Sequence, residues 1–136
     1  MYDPTLVQPM RDEVTRLGAK ELLTPADVDA ALKLPGTTLV FVNSVCGCAA
    51  AGARPALRLS MMNAKKPQQV FTAFAGMETA AVAKAREYFK PYQPSSPQIA
   101  LFKDGKLVKM WQRHDIEGRD GAVIAQSLRA AYDELC

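Results

Sequence analysis

The run Thr37-Thr38-Leu39-Val40-Phe41-Val42 is apolar or β-branched at every position, a near-continuous apolar run without polar alternation. Successive side chains of a strand point to opposite faces of its sheet, so a strand like this has no face to offer to water. It predicts a central strand in a sheet covered by helices on both sides.

The flanking segments supply those layers. Met10, Val14 and Leu17 recur at helical spacing from Pro9 to Leu17, and Gly18 follows where a helix stops. Thr24-Pro25-Ala26-Asp27 reads as an N-cap with proline at the first helical position, opening a second helix that ends before Pro35-Gly36. After the central strand, an alanine-rich stretch reaches Asn63 with Pro55 inside it, which predicts a kinked helix. Val70 to Ala75 reads as a strand and Glu78 to Phe89 as a helix. Gln98 to Lys103 and Lys106 to Trp111 flank Asp104-Gly105, a hairpin signature. The closing segment from Asp120 puts Val123, Ile124, Leu128, Ala131, Tyr132 and Leu135 on one face of a helix. The order predicts an α/β fold, a mixed sheet flanked by helices, with a helical extension at the N-terminus and one domain spanning residues 1–136.

With 49% hydrophobic residues in 136, the chain can bury a core without disulfide staples. Its opening residues carry acids and prolines where a signal peptide is apolar, and no segment is long and apolar enough to span a bilayer. A cytosolic protein without a membrane partner is expected. The net charge of +3 arises from acids and bases mixed along the chain, without the basic run of a nucleic-acid binder.

Of the three cysteines, Cys46 and Cys48 enclose a single glycine immediately after the central strand. In a reducing compartment such a pair points to chemistry rather than to a structural staple. Residues two apart inside a regular helix diverge, so a Cys46–Cys48 disulfide needs a turn, and Gly47 is expected to supply it through unusual backbone angles. Cys46 is then expected at the start of a helix, where free backbone amides and the helix dipole favour a thiolate, and it is the expected nucleophile. A ring closed over one residue is expected to be strained and to exchange readily. Two other readings compete. A soft-metal or iron-sulfur site needs further ligands, and the sequence offers only Cys136 and the single histidine, His114. A plain interaction domain predicts no thiol reactivity above that of free cysteine. Neither metal nor cofactor is expected.

Gly36-Thr37-Thr38-Leu39-Val40, Asn43-Ser44-Val45-Cys46-Gly47-Cys48-Ala49-Ala50, Ala53-Arg54-Pro55-Ala56 and Phe74-Ala75-Gly76 together resemble the signature of the bacilliredoxins. So do Pro94-Ser95-Ser96-Pro97, Ile99 to Gly105, Arg113-His114 and Ile116-Glu117-Gly118-Arg119. These are small bacterial proteins of thioredoxin-like fold, and the resemblance spans nearly the whole chain. It implies removal of bacillithiol, a cysteine-containing low-molecular-weight thiol, from mixed disulfides on S-thiolated client proteins. It also implies that Cys46 takes up the bacillithiol, that Cys48 resolves the adduct, and that free bacillithiol or a flavin-dependent reductase restores the thiols. The fold it implies carries a cis-proline facing the active cysteine, which here is Pro97, exposing the backbone of Ser96 to an extended substrate.

Gly47, Ser96, Pro97 and Arg54 are therefore the expected substrate-contacting positions. Arg54 enters because its planar fork suits a substrate carboxylate, with a solvated helix face as the equal alternative. His114, Trp111, Met61 and Met62 are read as surface or packing residues, and no role is assigned to Cys136.

Overall fold

The computed structural model describes all residues 1–136. Its five-stranded sheet has the order β1-β3-β2-β4-β5, with β1 at Lys20–Glu21, β2 at Thr37–Asn43, β3 at Gln69–Phe74, β4 at Gln98–Lys103 and β5 at Lys106–Trp111. β2 is buried at every residue. It lies at the centre, parallel to β3 and antiparallel to β4. The helices are α1 (Pro4–Thr15), α2 (Pro25–Leu32), α3 (Arg54–Ser60), α4 (Thr79–Tyr88), the short α5 (Arg113–Ile116) and α6 (Gly121–Leu135).

Alternation along β2 divides the core in two. Leu39 and Phe41 join Leu57 of α3 and Ile124, Leu128 and Tyr132 of α6 on one face. Val40 and Val42 join Val28 and Leu32 of α2 and Val82 of α4 on the other. Each of these β2 side chains is fully buried, and each such burial contributes about 1.5–3 kcal/mol. Two helical layers are thus needed to satisfy one strand.

Most boundaries fall where the sequence puts them. Thr24 and Asp27 form a reciprocal capping box around Pro25, and Asp120 caps α6 through the Val123 N–H. The hairpin turns on Asp104 and Gly105, both at positive φ as a type I′ turn requires. Four details differ. α1 starts at Pro4, capped by Asp3, rather than at Pro9; Pro9 lies inside the helix and removes one of its hydrogen bonds. Val123 is exposed, on the side of α6 turned away from its buried residues. The bend near Pro55 is a π-helical turn, Ala49–Ala53, in which the Arg54 N–H reaches back to the Ala49 carbonyl just before the residue that has no N–H to give. Besides Ser96–Pro97, the Lys90–Pro91 bond is cis.

α3 and α6 pack so closely that a Cβ on Gly121 would lie 2.9 Å from the Pro55 Cβ. Deeper in the same layer the Tyr132 hydroxyl meets the Ser60 hydroxyl at 3.1 Å. Burial, partly opposed by that hydrogen bond, pushes the Tyr132 phenol up to about 12. A raised phenol favours the protonated form in the fold. Its contribution is therefore complete below the unfolded value, about 10, and is lost as pH rises toward 12. Urea midpoints measured against pH should fall more steeply between pH 10 and 12 in the wild type than in Tyr132→Phe, which lacks the ionisable group.

Candidate redox site

β2 delivers the chain to the C-terminal end of the sheet, and the next helical turn begins within four residues. Gly47 and Cys48 are already helical and run on into the π turn. Cys46 stands just before them, its carbonyl accepting the Ala49 N–H at 3.0 Å and the Ala50 N–H at 3.2 Å. It thereby occupies the N-terminal position of the run that includes the π turn and α3.

Cys46 and Cys48 are joined as a disulfide with Cα atoms 5.3 Å apart, inside the range that a disulfide spans. Both residues are half-buried, and Cys48 packs against the α3–α6 side of the core. The Cys48 N–H donates to the Cys46 sulfur at 3.3 Å. Once the pair is reduced, a thiolate on Cys46 has this donor and the unpaired Gly47 N–H at the helix start beside it. Gly47 makes the connection without a left-handed φ, and a Cβ there would meet nothing within 4 Å. The expectation of unusual backbone angles at Gly47 is corrected, because the turn is made by the helix start itself.

The loop before Cys46 is held by a network the sequence did not reveal. Arg54 is only 4% exposed. Its Nη1 donates to Asn43 Oδ1 at 3.0 Å and to the Ser44 carbonyl at 2.8 Å, and its Nε donates to Glu13 Oε2 at 3.1 Å. Asn43 Oδ1 also accepts the Ser44 N–H at 2.9 Å, while Asn43 Nδ2 donates to the Met10 carbonyl at 3.1 Å. Ser44 Oγ then accepts the Cys46 N–H at 3.0 Å. One buried guanidinium therefore ties α1, the end of β2 and the cysteine loop to α3. Arg54 lies neither on a solvated helix face nor with its whole fork free for substrate, since Nε and Nη1 are committed within the protein.

The Ser96–Pro97 bond is cis. With Val42 opposite Gln98, this step and Cys46 lie at the same end of the sheet. The backbone N–H and C=O of Ser96 make no hydrogen bond within the protein. The loop itself is anchored from below. Arg86 Nη2 donates to the Ser95 carbonyl at 2.9 Å, Ser95 Oγ donates to Gln112 Oε1 at 3.0 Å, and Gln98 Nε2 reaches the same Gln112 oxygen at 2.6 Å.

The remaining cysteine is remote. Partial burial pushes the Cys136 thiol up, opposed by the Thr37 hydroxyl and by Lys103 and Lys65. Thr37 starts β2, whereas Cys46 follows its end, and seven residues of strand at about 3.3 Å each separate the two by roughly 20 Å. No group of three or more His, Cys, Asp or Glu side chains is arranged to hold a metal. The metal reading therefore lacks its ligand set, with Cys136 at the wrong end of the sheet and His114 exposed on α5. Trp111 is a packing residue whose Nε1 donates to Ser127 Oγ at 2.9 Å.

A family model described as disulphide isomerase matches residues 2–136. A bacilliredoxin of Cytophaga hutchinsonii is 53% identical over 135 residues, covering 99% of this chain and 100% of that protein. A bacilliredoxin of Geobacillus kaustophilus is 51% identical over 131 residues, covering 96% and 90%. Among solved structures, oxidised thioredoxin from Plasmodium falciparum matches with a TM-score of 0.58 at 16% identity, covering 84% of this chain and 98% of that one. Mitochondrial thioredoxin 3 from Saccharomyces cerevisiae, oxidised, gives 0.56 at 14% identity, covering 87% and 96%. At such identities the likeness establishes a thioredoxin-like fold.

Replacing Asn43 should test the network directly. Asn43→Ala leaves Arg54 Nη1 and the Ser44 N–H short of an acceptor in a buried setting. It should lower unfolding free energy by about 3 kcal/mol, measured by urea denaturation of the oxidised protein.

Proposed function

The chain belongs to the bacilliredoxin family, and from that premise we propose that it removes bacillithiol, or a similar low-molecular-weight thiol, from mixed disulfides on cytoplasmic proteins. Its class is thiol-disulfide oxidoreductase. The observation that carries the finer reading is the placement of the pair, with Cys46 at the head of a helical run, accepting the Cys48 N–H, and Cys48 within bonding reach.

In this reading the Cys46 thiolate attacks the sulfur of the small thiol in a client mixed disulfide. The client leaves as a thiolate, and the small thiol stays on Cys46 as a new mixed disulfide. The thiolate of Cys48 then attacks Cys46 Sγ, the small thiol departs, and the Cys46–Cys48 disulfide forms. Two electrons from free low-molecular-weight thiol or from a flavin-dependent reductase return the pair to the dithiol. Ser96 and Pro97 serve as the substrate platform, because the unpaired Ser96 backbone offers one donor and one acceptor to an extended client chain. Gly47 carries no side chain between the two cysteines, so a client backbone can approach there.

The two cysteines have different jobs and their single mutants should differ. After incubation with a bacillithiolated client, intact-mass analysis should find no adduct on Cys46→Ser and an accumulated adduct at position 46 on Cys48→Ser, released by added free thiol. An adduct held on Cys48 in the Cys46→Ser protein would reverse the assignment. Equal loss of bound metal from both mutants would instead mark a metal protein.

A further inference from the structure

The Arg54 guanidinium has three nitrogens, and the internal network uses two. Nη2 makes no hydrogen bond within the protein and keeps contact with solvent, although the residue as a whole is only 4% exposed. Arg54 also lines a cavity of about 310 Å³ between α1 and α3, with Glu13, Arg16, Leu17, Pro55 and Arg58 as its other walls. The side chains of Arg16 and Arg58 are exposed and make neither a hydrogen bond nor an ion pair. Three guanidinium groups thus meet one carboxylate, Glu13, whose Oε2 already accepts the Arg54 Nε. Like charges gathered around a cavity oppose one another unless an anion enters, and guanidinium groups are the donors best matched to a carboxylate.

We propose that this cavity is an anion-binding subsite that holds a carboxylate of the low-molecular-weight thiol while its sulfur is exchanged at Cys46. The inference rests on the proposed function for the source of the anion. Arg54 links the two places: its Nη1 is 2.8 Å from the Ser44 carbonyl, and Ser44 Oγ is 3.0 Å from the Cys46 N–H. The subsite gives the protein a means of choosing between thiols by charge, which the sulfur chemistry alone does not provide.

The test uses the full chain and Arg16→Gln/Arg58→Gln, which alters two exposed residues and leaves the Arg54 network intact. Succinate is the direct probe, followed on the oxidised protein through the arginine side-chain NMR resonances. It should bind the wild type and bind the double variant about tenfold more weakly. Glu13→Gln, which removes the competing carboxylate but keeps an acceptor for Arg54 Nε, should tighten it. In turnover, one client peptide is offered with either a glutathionyl or a neutral hydroxyethyl adduct. The double variant should raise KM for the glutathionyl adduct about five- to tenfold, with kcat and the hydroxyethyl reaction unchanged, and added salt should erase the difference because Arg16 and Arg58 are exposed. Equal succinate binding by wild type and double variant, no binding by the wild type, or equal slowing with both adducts would overturn the subsite. If the wild type binds succinate as expected but removes no adduct, the subsite stands and the proposed transfer function falls.

Discussion

β2 is the constraint on which the rest is built. A strand buried on both faces along its whole length cannot exist at the edge of anything, so it takes β3 and β4 as hydrogen-bonding neighbours and a helical layer on each side. The division of its side chains between two cores sets α3 and α6 against one face and α2 and α4 against the other. Because the strand ends where the polypeptide must turn into the α3 layer, the cysteine pair sits in the turn just beyond its last residue. Position and chemistry follow from the same burial.

The end of β2 is also where electrostatics enters the interior. Arg54 reaches Asn43, Ser44 and Glu13 from a nearly inaccessible place, and removing any acceptor would leave a buried charge underserved. The cysteine loop is consequently held by side chains from two helices and a strand rather than by its own turn geometry. That arrangement explains why Gly47 needs no special backbone angle. It also leaves the cysteine pair half-exposed on a fixed frame, which is what exchange with a large client requires.

The local parts of this architecture were legible in the sequence because their signals are local. Thr37 to Val42 announced a doubly buried strand, Asp104-Gly105 a hairpin, Thr24-Pro25 a capped helix, and Cys46-Gly47-Cys48 a close cysteine pair at a strand-to-helix junction. The misreading that bears on the site concerns a contact across the chain. Glu13 and Arg54 are 41 residues apart, so no periodicity shows that they meet, and Arg54 was read as facing outward. The spacing of Met10, Val14 and Leu17 marked the helix only from Pro9, whereas Asp3 caps it at Pro4, about one and a half turns upstream. Val123 was grouped with Ile124, Leu128 and Tyr132, yet at 3.6 residues per turn it lies well round the helix from them, which leaves it exposed. Pro55 marked a distortion correctly without revealing its π form.

The central claim is that the helix start and the Cys48 N–H make Cys46 the nucleophile. It is tested most directly by iodoacetamide alkylation of the reduced protein as a function of pH, with the site of modification read by peptide mass spectrometry. The account predicts that Cys46 is modified first, and that its half-maximal reactivity lies at least one pH unit below the value of about 8.5 for free cysteine. Modification of Cys48 ahead of Cys46, or a Cys46 titration no lower than that of free cysteine, would contradict it.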